Sequence, residues 1–298
     1  MFVALPRASR LALFALLTLG LTGCPVAPPA SQLPSAQSAF DRIRASGACG
    51  TGVQASAKID HFGDHGRVRG DLLMFVSDPA RMRLDVVSPF GVTLATLATD
   101  GSRFSLADLR EKRFYVGPAT ACNIARLTTV PIPGYALAQL LRGQPPVLKH
   151  EPSGATVAWS GGGYYVVKVK GTRDADEEIH LAPHPADLAR PWSEQRMRLV
   201  DLRVSQAGSV LYHAELKGHA AAETANARVD PDGIDPPLLP SGPPCSAEIP
   251  RDIKVEVPDQ NEDVVFRYDS VTWNPPLPEG TFTQPVPPGM PVTPVTCE

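Results

Sequence analysis

Along most of this chain apolar residues recur at every second position, the period of a strand with one covered face. Five early runs carry the pattern: GRVRGDLLMFV (66–76), RMRLDVV (81–87), VTLATLAT (92–99), RFSLADL (103–109) and KRFYV (112–116). Asp-Pro, Pro-Phe-Gly and Asp-Gly turn signals separate them, which predicts an antiparallel meander. In RMRLDV, Met82, Leu84 and Val86 share one face while Arg81, Arg83 and Asp85 share the other, so one side is covered and the other wet. Strands are predicted again at 156–160, 164–170, 177–182, 195–204, 209–218, 252–257 and 263–273.

Helical spacing interrupts the strands at three places. Phe40 and Ile43 predict an amphipathic helix before Gly47, and 119–127 and 134–143 predict two more. In the last of these Tyr135, Leu137, Leu140 and Leu141 fall largely on one face, and Gly143 ends it. The fold class that follows is mainly β (α+β): a strongly curved antiparallel half-barrel sheet with a few helices over an apolar concave face. The pattern leaves open whether the sheet closes into a barrel.

The turn Pro89-Phe90-Gly91 is unusual in setting a large apolar ring where loops are normally wet. Such a ring folds back onto the body or meets something apolar outside it.

The ends of the chain change the picture. Arg7 and Arg10 precede an apolar run too short to span a bilayer comfortably, then LTGC at 21–24, which reads as an export signal. Leu-x-Gly-Cys resembles the bacterial lipoprotein lipobox, implying cleavage after residue 23 and acylation of Cys24. Pro25, where inner-membrane retention would use Asp, implies the periplasmic face of the outer membrane. Prolines, 32 in all, concentrate at 25–34, 231–244 and 275–294, predicting a stiff tether, a long loop and a loose tail. Cys49, Cys122, Cys245 and Cys297 form an even set in an exported chain, and the expected bridges are Cys49–Cys122 and Cys245–Cys297 among three connectivities. A net charge of −3 favours no nucleic acid.

With these features in place, MRLDVVSPFGVTLATL (82–97), VPIPGYALAQLLRG (130–143) and VVFRYDSVTWNPP (264–276) together resemble LolB, the outer-membrane lipoprotein receptor and insertase family, which shares a half-barrel fold with the periplasmic carrier LolA. The resemblance covers most of 35–143 and, more loosely, 245–284. It implies a cavity for lipoprotein acyl chains, a LolA-like carrier as donor, a monomer, and a protruding apolar residue that meets the membrane, here Phe90 between Pro89 and Gly91. Alternation and helical spacing nominate Leu72, Met74, Leu84, Val86, Leu94, Leu137, Leu140, Leu141 and Phe266 as the cavity lining. The domain plan is a signal at 1–23, a tether at 24–34, a half-barrel at 35–284 and a Pro-rich tail at 285–298. The segments around 171–195 and 218–245 are longer than the family core.

Chemistry is sparse. There is no Gly-x-Ser-x-Gly or His-Glu-x-x-His, and WSGGGYY (159–165) precedes a strand, so it reads as a hairpin turn, not a phosphate loop. Pro183 and Pro185 break any helix that would bring His180 and His184 together, and both read as exposed loop residues. No enzyme, metal or cofactor is expected. Met74, Met82 and Met197 read as core, and Lys168 and Lys170 as the wet face of a strand. The alternatives are a half-barrel for another amphiphile, or an adaptor whose Pro-rich tail binds a partner.

Overall fold

The structure, a computed structural model, describes residues 25–63, 66–128, 130–234 and 236–296. Its first element is helix α1 (Ala36–Ser46), started by Ser35, whose hydroxyl accepts the Ser38 N–H at 3.1 Å. Phe40 and Ile43 are buried on its inner face.

Six antiparallel strands then follow as a meander: β1 (Gly52–Gly63), β2 (Gly66–Ser77), β3 (Arg81–Val87), β4 (Thr93–Thr99), β5 (Arg103–Asp108) and β6 (Arg113–Pro118). Helices α2 (Ala121–Thr128) and α3 (Gly134–Leu141) come next. A second meander comprises β7 (His150–Ser160), β8 (Tyr164–Gly171), β9 (Ala175–Pro183), β10 (Met197–Gln206) and β11 (Ser209–Lys217). After the short pieces β12 (Ala220–Ala221), β13 (Glu223–Thr224) and β14 (Glu248–Ile249), β15 (Asp252–Val257) and β16 (Glu262–Trp273) join the two meanders. β16 lies against β1 on one side and β15 on the other, so one fifteen-stranded sheet results. The order runs from β17 (Val292–Pro294) and β6 at one edge to β7 at the other, and the sheet is open.

Alternation explains the core. Leu72, Met74, Leu84, Leu97, Phe104, Leu106 and Phe266 point to one side, where Leu137, Leu140 and Leu141 of α3 meet them, all nearly inaccessible to water. The Tyr268 hydroxyl donates to the Leu141 carbonyl at 2.7 Å, satisfying a carbonyl at the end of α3.

Three expectations are corrected. Cys49 bonds to Cys245, not to Cys122. Cys122 is disulfide-bonded too, while Cys297, like Cys24, lies outside the described residues. The excursion after β13 leaves at Trp273 and returns at Asn274, since Ala225 N–H donates to Trp273 and Ser241 N–H to Asn274, and this brings Cys245 back beside the start of β1. The tail is not loose either. Val292–Pro294 runs parallel to β6, and the Gln284 amide donates to the Thr96 and Ser105 carbonyls at 3.0 and 3.2 Å. Gly117 permits this, because a Cβ there would sit 2.2 Å from the Val295 carbonyl oxygen. Nor is His180 a loop residue: it lies on β9 and is half-buried.

Candidate functional site

Strand directions sort the connections onto two ends. The turns at 88–92, 109–112, 171–175, 206–209 and 258–261 fall at one end, with Gly63 and Gly66, and that end is called the mouth. The turns at 78–80, 100–102 and 160–163, with Asn274, fall at the other.

At the mouth, Ser88, Pro89, Phe90 and Gly91 form a tight turn: the Gly91 N–H donates to the Ser88 carbonyl at 2.9 Å, and the Ser88 N–H to Val92 at 2.8 Å. Gly91 holds φ +77°, a conformation glycine adopts without strain. This geometry points Phe90 away from the sheet, and it is 92% exposed. Phe62, Val68, Val92 and Leu109 stand exposed at the same end.

Below these tips lies a cavity of about 690 Å³. Ile59, Val68, Val86, Val87, Leu94 and Leu127 give it apolar walls, Ser88 and Pro89 form part of its rim, and Gly70 lies on the wall between Ile59 and Val86. A cavity of this size and lining suits a small apolar ligand or part of a larger one. Of the nine residues nominated from the sequence, only Val86 and Leu94 line it. Leu72, Met74, Leu84, Leu137, Leu140, Leu141 and Phe266 belong to the closed core further along the strands. The missed residues Ile59, Val68 and Gly70 had one signal. In Val68-x-Gly70-x-Leu72-x-Met74 the glycine breaks a stripe of inward apolar residues, and a break in such a stripe is room.

Charge rings the opening. Asp60 accepts from the Arg67 guanidinium at 2.7 and 2.5 Å and from Arg69 at 3.2 Å, and chiefly the Arg67 bonds lower its pKa to about 2. Lys58 is paired with Asp71 at 2.7 Å, and Arg267 with Asp252 at 3.3 Å. Arg110, on the same wall, makes no ion pair among the described residues. His61 and Glu262 form a buried pair just inside the mouth.

Two titratable groups elsewhere escaped the sequence reading. Glu177 points into the covered face of β9, 2% exposed; among the described residues its hydrogen-bond partner is the Leu148 N–H at 2.8 Å, and burial pushes its pKa up to about 8. On the opposite face Asp201 lies 2.7 Å from His213 and 3.6 Å from His180; hydrogen bonding to Asp201 raises the His213 pKa. Among the described residues no group of three or more His, Cys, Asp or Glu is placed to hold a metal, and no helix is long and apolar enough to cross a membrane.

The tether is docked. The Val26 N–H donates to Gly161 at 2.9 Å, the Trp159 indole to Val26 at 3.1 Å, and the Gln195 amide to Ser31 at 3.1 Å. These contacts fasten it at the end opposite the mouth.

No protein-family model matches the sequence, and no curated protein does. Solved structures do. A DUF1329 family protein from Desulfovibrio piger superposes with a TM-score of 0.50 at 8% identity, over 83% of this chain and 96% of that one. The likeness is one of fold. A LolA superfamily protein from Nitrosomonas europaea gives 0.47 at 12% identity, over 84% and 98%. The mainly β half-barrel class expected from the alternation is the class observed, a large curved antiparallel sheet with few helices.

Proposed function

We propose that this protein is an envelope lipoprotein, anchored through Cys24 at the periplasmic face of the outer membrane, that takes acyl chains into the mouth cavity and releases them to lipid. The carrying observation is the apolar cavity of about 690 Å³ opening beside the Phe90 ring, which is almost wholly exposed. The LolB-like segments support lipoproteins as cargo and a LolA-like carrier as donor. The work is binding and release without bond-making, and no residue is assigned a catalytic role.

Direction needs only a gradient of affinities, with the cavity holding a chain more tightly than the carrier and the bilayer more tightly still. Burying the Phe90 ring in lipid contributes roughly 1.5–3 kcal/mol, enough to bias docking and too little to anchor. The test is a transfer assay: a fluorescently acylated lipoprotein is passed from a LolA-type carrier to the full chain carrying Cys24→Ala, then to liposomes, with Phe90→Glu alongside. Uptake by both proteins, with delivery lost only in Phe90→Glu, is the expected outcome. Absence of uptake by the parent protein overturns the proposal.

A further inference from the structure

The size of the mouth cavity carries a conclusion about cargo, one that rests on the amphiphile-binding reading above. A methylene occupies about the volume a water molecule takes in the liquid, roughly 30 Å³. A cavity of about 690 Å³, open at the mouth, therefore encloses one fatty chain of about sixteen to eighteen carbons, and a second would lie outside it, since two need on the order of 1,000 Å³. Gly70 leaves this room. A Cβ at that position would lie 3.6 Å from Val86 Cγ1 and 3.8 Å from Ile59 Cγ2, so any longer side chain occupies the cavity itself. Gly70 lies on a β-strand, opposite Ile59 in the β1–β2 register, so its role here is the space it leaves.

The wall also supplies a group for a ligand's head. Lys58, Arg69 and Arg267 all have carboxylate partners within 3.3 Å, whereas the Arg110 guanidinium has none among the described residues. An anion at the mouth gains a charge-assisted bond there without breaking an existing pair. We infer that the cavity binds amphiphiles with an anionic head through one chain, one molecule per protein, the chain lying along Ile59, Gly70 and Val86 and the head at Arg110. A fatty-acid carboxylate and a lysophospholipid phosphate share this chemistry.

Native mass spectrometry and calorimetry on the full chain carrying Cys24→Ala test it, with palmitate, palmitoyl lysophosphatidic acid, hexadecanol, dipalmitoyl phosphatidylglycerol and a triacylated lipopeptide as probes. Both single-chain anions are expected to bind one to one, and the two-chain and three-chain probes also one to one and no more tightly, since only one of their chains is enclosed. A preference between palmitate and the lysophospholipid identifies the head. Gly70→Leu should weaken all single-chain binding at least tenfold with an unchanged melting temperature, and Gly70→Ala much less. Arg110→Gln should weaken the anions severalfold and leave hexadecanol unaffected. Binding of the multi-chain probes at least tenfold tighter than palmitate, or indifference to Gly70→Leu in a folded protein, overturns the inference. Tight binding of the lipopeptide alone removes it while sparing the proposed function. Binding of no probe removes both.

Discussion

The two ends of the sheet are built on opposite principles. At the mouth, short turns hold apolar side chains out of the fold, the inward stripe is interrupted at Gly70, and a cavity remains open. At the far end buried side chains and a disulfide tie the backbone together. The Asn274 side chain accepts the Thr51 and Gly52 N–H groups at 2.9 and 3.2 Å and donates to the Cys49 and Pro243 carbonyls at 2.7 and 2.6 Å. Arg142, also buried, donates to the Gly50 carbonyl at 2.7 Å and pairs with Asp78. The Cys49–Cys245 bridge closes the same region across a sequence separation of 196. Cross-links concentrated at one end allow the other to carry exposed apolar surface, because the stability that a cavity forfeits is supplied elsewhere.

The largest effect that sharpens this contrast is expected at the tied end. Cys49→Ser with Cys245→Ser should cost about 2–5 kcal/mol of stability, and Asn274→Ala about 1–3 kcal/mol, both read as shifts in a denaturant midpoint. Equal losses from mouth substitutions would erase the distinction.

Glu177, buried without full partnering, comes next. Its folded pKa of about 8 lies above the ordinary 4.5, so the folded state keeps a proton that the unfolded state has released. Stability should therefore fall as pH rises from about 4.5 to 8, by up to about 4 kcal/mol. Glu177→Gln should flatten that slope and stabilise the protein at pH 8 while changing little at pH 4.5. Unfolding curves at the two pH values decide it.

His219 gives a smaller effect with the opposite sign. Burial, reinforced by Arg198, lowers its pKa to about 4, so it stays neutral in the fold and stability should fall as pH drops from about 6.5 to 4. His219→Gln should reduce that loss in acid unfolding. Smallest of all in stability is Phe90→Glu, expected within about 0.5 kcal/mol of the parent although it abolishes delivery to liposomes. A large fall in its melting temperature would mean the ring supports the fold.

Strands, helices and the exposed tip at Phe90 were legible in the sequence because each is a local pattern: a period of two, a period near 3.6, a Pro-x-Gly turn. The cavity was not, since alternation tells which face Leu72 and Val86 share but not how far along the strand the helices cover that face. Leu72 falls under cover and Val86 just beyond it. Composition misjudged the tail for a related reason. Prolines say that a segment forms no structure alone, whereas Val292–Pro294 borrows its partner from the edge of β6. The Cys49–Cys245 pairing depends on where a long excursion returns, which no local spacing encodes.

The docked tether has a consequence for posture. Leu33 is fastened by its N–H to the Tyr165 hydroxyl at the tied end, and the nine residues from Cys24 to Leu33 reach about 31 Å at full stretch. The twelve residues of β2 run about 40 Å toward the mouth. On the anchoring proposed above, a lipid on Cys24 would stand the molecule upright on its tied end, cup opening away from the leaflet that holds it. Delivery to that same leaflet through Phe90 would then require the molecule to tip onto its flank with the tether released from Gly161.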